Sequence, residues 1–318
     1  MLSRRAALTA IAGLIAAPSA RAQSFPSRNI SIVVPYPAGG PVDAVARLIA
    51  QSTAFGQPIT VDNRGGGSGM IGTVAVARAE PDGHTLVLGT NQTHATNQSL
   101  LKNCPYDAVK DFSAVAGIAD IPHALVVRRG LEADNVAALV ELAKKDKLNY
   151  GSTGNGSASH LAAELFKLKA SIDLLHVPFR GAAPMTTELL AGRIDTTFVT
   201  LPSVISYIDA GVLRALAVAS PKRALRLPNV PTLAEAGIDG VEADAWFALF
   251  APAKTPDAIL DRIYRVVSAV LTSETAAKAI AAQGMTLALR TPGEVAAWLP
   301  GEVAKWAAVI KAAGVTVD

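Results

Sequence analysis

Three stretches rich in glycine and small hydroxyl residues each join a predicted strand to a predicted helix. The first backbone N–H groups of a helix have no acceptor within the helix, and the helix dipole is positive there. Such an end binds carboxylate or phosphate groups, so the sequence predicts a protein that binds small acids. The candidate residues are Tyr36, Pro37, Ala38, Gly39 and Gly40 in the first stretch, Ser152, Thr153, Gly154, Asn155, Gly156 and Ser157 in the second, and Arg180, Gly181 and Ala182 in the third.

Four polar side chains in or beside these stretches have roles that their positions predict. Asp43 lies in the first turn of a helix, where it is expected to fix the glycine loop through backbone N–H groups rather than face an anion. Ser157 is expected to cap the second helix. His160 lies one turn further on and either braces the loop or contacts the ligand. Arg180 either binds a carboxylate through two parallel hydrogen bonds or remains in solvent.

Further candidates come from strand ends elsewhere in the chain. Thr90 and Asn91 follow a β-branched run, and open α/β sheets bind their ligands at the carboxyl ends of strands. The far end of the pocket is expected to select the ligand, and an acid there would favour a ligand with an amino group. The candidates for this end are Phe198, Thr200, Asp244 and Trp246.

Signatures of catalysis and of cofactor binding are missing from the sequence. There is no G-x-S-x-G motif, the five histidines show no compact metal-ligand spacing, and Cys104 is the only cysteine. Residues 67–72 match the dinucleotide pattern G-x-G-x-x-G, but the acids that follow come too early for a ribose contact. We therefore expect a structural turn at this position, no cofactor, no metal and no catalytic residue.

Short β-branched runs alternate with helical patterns along the chain, which predicts an α/β protein with mostly parallel sheets flanked by helices. Two strand-like runs, at residues 124–127 and 245–250, are placed to cross between two units. We expect two lobes with a cleft between them. Residues 23–123 and 248–318 form the predicted lobe 1, and residues 124–247 form lobe 2.

Residues 1–22 are typical of an export signal. Arg4 and Arg5 precede a short apolar run, and Ala20 and Ala22 define a small-residue cleavage site after Ala22. The run is too short to span a bilayer, and the general secretory and twin-arginine routes both remain open. This segment holds three of the 29 basic residues and none of the 26 acidic ones, so the remainder has no net charge. That balance argues against nucleic acid as a partner.

Six ordered motifs together resemble the extracytoplasmic receptors of tripartite tricarboxylate transporters, the Bug-type family. They cover nearly the whole chain after the signal. The matching segments are residues 33–40 with Asp43, Ala46 and Arg47, 61–64 with 67–72, 81–86, 150–152 with Gly156, His160 and Leu161, 177–181 and 231–237. The resemblance implies a two-lobed periplasmic binding protein fold of type II-like topology that closes on a small carboxylate. It implies contacts from backbone amides at residues 36–40 and from hydroxyl groups at residues 152–156.

The chain departs from the family pattern at two places. Pro41 and Val42 stand where family loops often carry Gly-Thr or Gly-Ser, and this change removes a hydroxyl and an N–H group. Phe179 stands where tyrosine is frequent. The change at Pro41 and Val42 therefore bears on the contact pattern that the resemblance implies for the first loop.

The resulting hypothesis is a periplasmic, monomeric receptor that delivers a carboxylate to integral membrane transporter subunits. One alternative is a ligand-sensing subunit for a membrane histidine kinase, because its ligand site would look the same. The other is a periplasmic enzyme that acts on a small acid with Asp43, His160 or Arg180. Di- and tricarboxylates, amino acids and aromatic acids all remain open as ligands.

Overall fold

The computed structural model describes residues 25–316 and contains two β-sheets flanked by helices. The expected export signal and its cleavage after Ala22 lie outside the described residues. The strands are β1 (Ile30–Val34), β2 (Ile59–Asn63), β3 (Thr85–Thr90), β4 (Phe112–Ile121), β5 (His123–Arg128), β6 (Asn149–Ser152), β7 (Leu175–Pro178), β8 (Thr196–Thr200), β9 (Leu213–Val218), β10 (Ala245–Pro252) and β11 (Thr286–Arg290).

Helices cover both sheets. They are α1 (Pro41–Ala50), α2 (Met70–Ala77), α3 (Asn97–Leu100), α4 (Val136–Lys145), α5 (Ala158–Ala170), α6 (Ala182–Leu190), α7 (Ile205–Asp209), α8 (Asp257–Leu271), α9 (Glu274–Ala282) and α10 (Pro292–Ala313), with a π-helical turn at Gln92–Thr96 and a 3-10 turn at Leu201–Ser203. In α1, apolar residues at helical spacing bury one face, with Val42, Val45 and Ile49 inside. Along residues 25–316, no helix is both long enough and apolar enough to cross a membrane.

The two sheets are mixed. The strand order is β11-β4-β10-β3-β1-β2 in the first sheet and β7-β6-β8-β5-β9 in the second. Strand β1 pairs in parallel with β2 and β3, and strand β6 pairs in parallel with β7 and β8. Every pairing of β5 and β10 is antiparallel. The two-sheet α/β class is confirmed, but the sheets are not mostly parallel as predicted. The reason is that β5 and β10 each arrive from the other sheet and run against the strands they join.

The chain crosses between the sheets twice. The first crossing is at Pro122, because β4 ends at Ile121 and β5 begins at His123. The return is complete at Ala245, where β10 begins pairing in the first sheet. His123 therefore pairs in the second sheet and residues 245–247 in the first, whereas the predicted boundaries place His123 in lobe 1 and residues 245–247 in lobe 2. The division of the rest of the chain into lobes remains a prediction.

Strand β4 is the longest strand of the first sheet and was missing from the sequence interpretation. Its residues, FSAVAGIADI, are largely small, and alanine and glycine have weak strand propensity. Small residues are needed in β4 because the neighbouring strand β11 packs closely against it. A Cβ atom at Gly117 would lie 2.8 Å from the Cβ of Arg290.

One apolar cluster joins residues of both sheets through α10. It includes Val87 and Phe250 of the first sheet, Tyr150 and Phe198 of the second, and Trp306 of α10.

The buried carboxylate of Glu302 on α10 accepts hydrogen bonds from the indoles of Trp246 and Trp306, each at 3.2 Å, and from Lys305 at 2.7 Å. Buried indole N–H groups need such an acceptor, so Glu302 allows tryptophan to fill this part of the core.

Replacing Glu302 tests this arrangement. Glu302→Leu keeps the approximate volume but leaves two buried indole N–H groups without an acceptor, so we expect the free energy of unfolding to fall by about 2–5 kcal/mol. Glu302→Gln keeps an accepting oxygen and should cost clearly less. Urea unfolding followed by tryptophan fluorescence measures both. Equal losses in the two variants would show that the indole bonds contribute nothing.

Candidate functional site

A cavity of about 810 Å³ lies where strand ends of the two sheets face each other. Pockets of this size hold small organic ligands. Its walls come from the loops after β1, β3, β6, β7 and β8 and from the first residues of β5 and β10. The predicted candidates among the lining residues are Tyr36, Pro37, Ala38, Gly39, Gly40, Asp43, Thr90, Asn91, Thr153, Ser157, Gly181, Ala182 and Thr200. Their contact with a ligand remains a prediction.

Asp43 braces the first glycine loop. Its carboxylate accepts from the backbone N–H of Gly39 at 2.9 Å, from Arg47 at 2.8 Å and from the side chain of Asn63 at 3.0 Å. The hydrogen bond from Arg47 is the main reason that the pKa of Asp43 falls from 3.8 to about 2, against the opposing effect of burial. Gly39 adopts a φ of +89°, which suits glycine. Both oxygens of the Asp43 carboxylate thus accept hydrogen bonds from the protein itself.

With the loop held in place, N–H groups at the start of α1 point away from protein acceptors. Gly40 is the residue before the helix, and Pro41 is the first helical residue. Among residues 25–316, the backbone N–H groups of Gly40 and Val42 have no protein acceptor. Both residues line the cavity, so these donors are available to an anion.

Hydroxyl groups form the facing wall at the start of α5. Ser159 Oγ accepts from the backbone N–H of Thr153 at 2.8 Å and lies 3.0 Å from Thr153 Oγ1 and 2.9 Å from Ser157 Oγ. Ser157 also caps the helix, because its Oγ accepts from the backbone N–H of His160 at 3.3 Å. All three hydroxyl residues line the cavity. A connected set of hydroxyls can turn its donors toward whichever group arrives.

Ser152 and His160 lie behind this wall and do not line the cavity. Ser152 Oγ contacts the backbone of Gly154 and lies 2.7 Å from His176 Nε2. His160 Nδ1 accepts from the backbone N–H of Gly156 at 2.9 Å, and its ring stacks on His176 at 3.9 Å. Burial is the main reason that the pKa of His160 falls to about 4, so the ring is neutral at pH 7. Both side chains brace the loop from within.

The third stretch packs against the second. The N–H of Gly181 donates to Thr153 O at 3.2 Å, and Gly181 adopts a φ of +107° before α6 begins at Ala182. Ala182 and Ala183 line the cavity, so the start of α6 also faces it. The exposed Arg180 is not among the lining residues and has no ion-pair partner within residues 25–316.

Four other candidates are not part of the cavity wall. Gly154, Asn155 and Gly156 belong to the loop but lie outside the lining set, and Asn155 contributes to a separate polar pocket near the end of α10. Phe198 is fully buried and packs on Phe166 at 5.6 Å, because its position on β8 faces the core. The expectation that Phe198 faces the ligand is not met in this structure.

The far end of the pocket differs from expectation. Thr200 lines it, with its Oγ1 3.1 Å from Ser203 Oγ, but Asp244 and Trp246 do not. The carboxyl of Asp244 instead accepts from Ser220, and burial raises its pKa to about 7. The acid that would favour an amino group is therefore absent from the cavity wall.

Several lining residues escaped the sequence analysis. They are Pro41, Val42, Gln92, His123, Ala158, Ser159, Ala183, Ser203, Ala245 and Phe247. Most directly follow or flank predicted candidates, so a wider window around each loop would have included them. His123, Ala245 and Phe247 carried no such signal, because their position depends on where the chain crosses between the sheets.

A hydroxyl network supports the wall contributed by the first sheet. Tyr36 Oη lies 2.8 Å from Thr90 Oγ1 and donates to Gln92 Oε1 at 3.0 Å. Burial raises the pKa of Tyr36 to about 12, so the phenol is protonated at pH 7. Thr93 Oγ1 in turn accepts from the backbone N–H of Thr90 at 3.0 Å. These bonds hold the end of β3 beside the first glycine loop.

The cavity combines positive helix ends with almost no formal charge. The start of α1 reaches the cavity from the first sheet, and the starts of α5 and α6 reach it from the second. Asp43 is the one Asp, Glu, Lys or Arg residue among its lining residues. Within residues 25–316, no cluster of three or more metal-ligating His, Cys, Asp or Glu side chains occurs. The arrangement therefore suits an anion bound by uncharged donors.

Comparison of the sequence with known families identifies the family of this chain. A sequence model described as "Tripartite tricarboxylate transporter family receptor" matches residues 45–315. The chain belongs to this family. It is 36% identical over 305 residues to Protein BugT of Bordetella pertussis, with 94% of this chain and 93% of the relative covered. The family is one of solute receptors rather than enzymes.

Solved structures agree with this assignment. The structure "R. palustris Rpa4515 with adipate" shares 36% identity and a TM-score of 0.81, covering 92% of this chain and 100% of that one. MatC from Rhodopseudomonas palustris with bound malate shares 32% identity and a TM-score of 0.77, with 90% and 100% covered. The expected resemblance to the family is confirmed.

The hydrogen bonds of Asp43 predict a pH-dependent contribution to stability. The folded state lowers the pKa from 3.8 to about 2, so the contribution is complete above pH 4 and is lost as the pH falls through 2. We expect Asp43→Asn to lower the free energy of unfolding by about 1–3 kcal/mol at pH 6 and by almost nothing near pH 2. Urea unfolding across this range measures the difference. Asp239→Asn, at an exposed side chain with no hydrogen bond or ion pair to residues 25–316, serves as the control. A loss of equal size at both pH values would contradict this assignment.

Proposed function

We propose that this chain is a periplasmic receptor that captures a small carboxylate between its two lobes and delivers it to a tripartite tricarboxylate-type membrane transporter. The observation that carries the proposal is the meeting of three helix N-termini, from both sheets, at one cavity. The relatives described with adipate and malate support the ligand class.

The first loop and the hydroxyl wall are proposed to hold the same carboxylate group from opposite sides. The N–H groups of Gly40 and Val42 supply donors from one lobe. Thr153, Ser157 and Ser159 supply hydroxyls from the other. A ligand that bonds to both walls stabilises the closed arrangement over the open one by its difference in affinity for the two. Closure of the cleft would then report occupancy to the transporter.

Receptor activity is favoured over catalysis by the state of the groups that could transfer protons. General acid–base catalysis needs a titratable group with a free position within reach of the substrate. Both oxygens of Asp43 are taken by protein donors, and His160 is buried behind the loop. Arg180 lies outside the cavity wall.

We propose that the protein acts as a monomer after cleavage following Ala22.

Carboxylate recognition can be separated from recognition of the carbon skeleton. Isothermal titration of the protein without its signal segment, with adipate, succinate, benzoate and citrate, is expected to find at least one acid that binds with a dissociation constant near micromolar. The matching primary amide should bind at least about 100-fold more weakly, because it lacks the charge that the helix ends favour.

The hydroxyl wall supplies the matched variants for this experiment. Thr153→Val combined with Ser159→Ala is expected to weaken the best acid about tenfold or more through lost hydrogen bonds. Ser268→Ala removes a hydroxyl on α8, outside the cavity wall, and should leave affinity unchanged. If no acid binds, or if acid and amide bind equally, the carboxylate receptor assignment is wrong.

A further inference from the structure

A stack of three aromatic rings lies behind the loop between β6 and α5 (residues 153–157, the second loop). The ring centroid of Tyr150 lies 4.8 Å from that of His176, and the centroid of His176 lies 3.9 Å from that of His160. The two imidazole planes differ by 10°. The rings come from β6, β7 and α5, so three elements of the second sheet's side fix the plane of the His160 ring.

His160 holds the second loop through a nitrogen that must be unprotonated. Its Nδ1 accepts from the backbone N–H of Gly156 at 2.9 Å. Ser152 Oγ holds the loop at its other end, where it accepts from the N–H of Gly154 at 3.2 Å. A hydroxyl keeps its lone pairs at any pH, whereas an imidazolium carries a proton on both nitrogens and cannot accept. A proton on His160 Nδ1 therefore removes the acceptor of the Gly156 N–H.

The charged groups on the helix of His160 are already paired with one another. The carboxylate of Glu164 accepts from Lys167 at 2.9 Å and from the hydroxyl of Tyr150 at 2.6 Å. Lys167 also lies 3.4 Å from Asp173, a fully solvated carboxylate. The positive charge of Lys167 offsets that of Glu164, so α5 and β6 offer no unpaired anion to a protonated His160.

The other elements around the ring do not favour a proton either. On β7 the facing group is the imidazole of His176, and a charge on one ring opposes a charge on the other. At the end of α10, residues 313–316 line the polar pocket beside His160 and carry no titratable side chain. Burial is the main reason that the pKa of His160 falls from 6.5 to about 4, and His176 adds to the fall. At neutral pH the ring is therefore an acceptor.

The second loop connects this ring to the cavity. Thr153 and Ser157 stand at its two ends and line the cavity, and both hydroxyls lie within 3.0 Å of Ser159 Oγ. Gly156 is buried and directly precedes Ser157. A buried N–H group without an acceptor is costly, so loss of the bond to His160 favours movement of Gly156 toward water. Ser157 would then leave its place in the hydroxyl wall.

Resting on the proposed carboxylate receptor function, we propose that His160 is a positioning residue that makes ligand binding sensitive to acid, because a proton on its Nδ1 releases the second loop. His176 keeps the ring in the plane in which Nδ1 meets Gly156. Binding excludes the proton, so affinity is complete at neutral pH and is lost as the pH falls through about 4. The regulation acts on the protein and adds to any ionisation of the ligand itself.

Two replacements of His160 separate its acceptor from its titration. His160→Asn places an amide oxygen near the position of Nδ1, so this variant can accept from Gly156 but does not titrate. His160→Leu removes the acceptor at every pH. At pH 7 we expect the leucine variant to bind about tenfold more weakly than the asparagine variant, because only the leucine variant leaves the Gly156 N–H unpaired.

The pH profile is measured with the acid that binds best among adipate, succinate, benzoate and citrate. Isothermal titration at pH 7, 5, 4 and 3.5 gives the affinity of the wild-type chain divided by that of His160→Asn. Both proteins meet the same acid at each pH, so this quotient cancels the ionisation of the ligand. Relative to pH 7, we expect the quotient to fall about twofold at pH 4 and about fourfold at pH 3.5.

His84→Asn is the matched control. His84 Nε2 also accepts a backbone N–H, from Ser27 at 3.1 Å, but His84 lies outside the cavity wall. The affinity of this variant relative to wild type should not change between pH 7 and 3.5. Nuclear magnetic resonance of the ligand-free protein supplies a second readout, in which the amide proton shift of Gly156 should follow the titration of the His160 ring. Circular dichroism confirms that each protein is folded at each pH.

The outcomes separate this proposal from the receptor function. A quotient that falls in acid, together with a Gly156 amide that follows the His160 ring, supports the proposal. A constant quotient, or one that rises because a bound anion favours a protonated ring, overturns it while the carboxylate receptor remains. A Gly156 amide that keeps its shift while His160 titrates also overturns it. If no acid binds at pH 7, the receptor function is wrong, and so is the regulation proposed for it.

Discussion

Uncharged groups can hold an anion only if their dipoles are fixed before it arrives. A flexible glycine loop would lose in ordering what its N–H groups gain by bonding to the ligand. The cavity meets this constraint at its first two loops, where the donors lie at a helix start and the preceding loop is held by other protein groups. At the first loop, the carboxylate of Asp43 bonds to Gly39 and is itself held by Arg47 and Asn63. The rest of the site depends on bracing of this kind.

Different chemistry braces the second loop. Asp43 works as a charged acceptor, whereas His160 is neutral and accepts the N–H of Gly156 while stacking on His176. An additional carboxylate near the hydroxyl wall would repel an anionic ligand at close range. A neutral imidazole fixes backbone N–H groups without adding charge. The choice of a neutral imidazole behind the second loop therefore suits the charge of the proposed ligand.

Sequence patterns were sufficient for the residues that lie near one another along the chain. Glycine and hydroxyl residues after a β-branched run predicted the first and second loops, because strand ends and helix starts are local features. The same reasoning failed where position depends on long-range pairing. His123 and Phe247 line the cavity only because their strands cross between sheets, and Phe198 faces the core because of its register on β8. Strand β4 was missed because its small residues are chosen by packing against β11 rather than by propensity.

The two crossing strands place residues from both sheets at the cavity. His123 and Ala245 are the first residues of β5 and β10, the strands that carry the chain into each sheet, and both line the cavity. The backbone N–H of Ala219 donates to His123 O, and the N–H of Ala243 donates to Ala219 O, each at 2.8 Å, so Ala219 links the two crossings. Any rotation of one lobe against the other must be absorbed where the chain passes between them. A ligand in the cavity would therefore lie against the segments that, in the proposed receptor, absorb the motion of one lobe against the other.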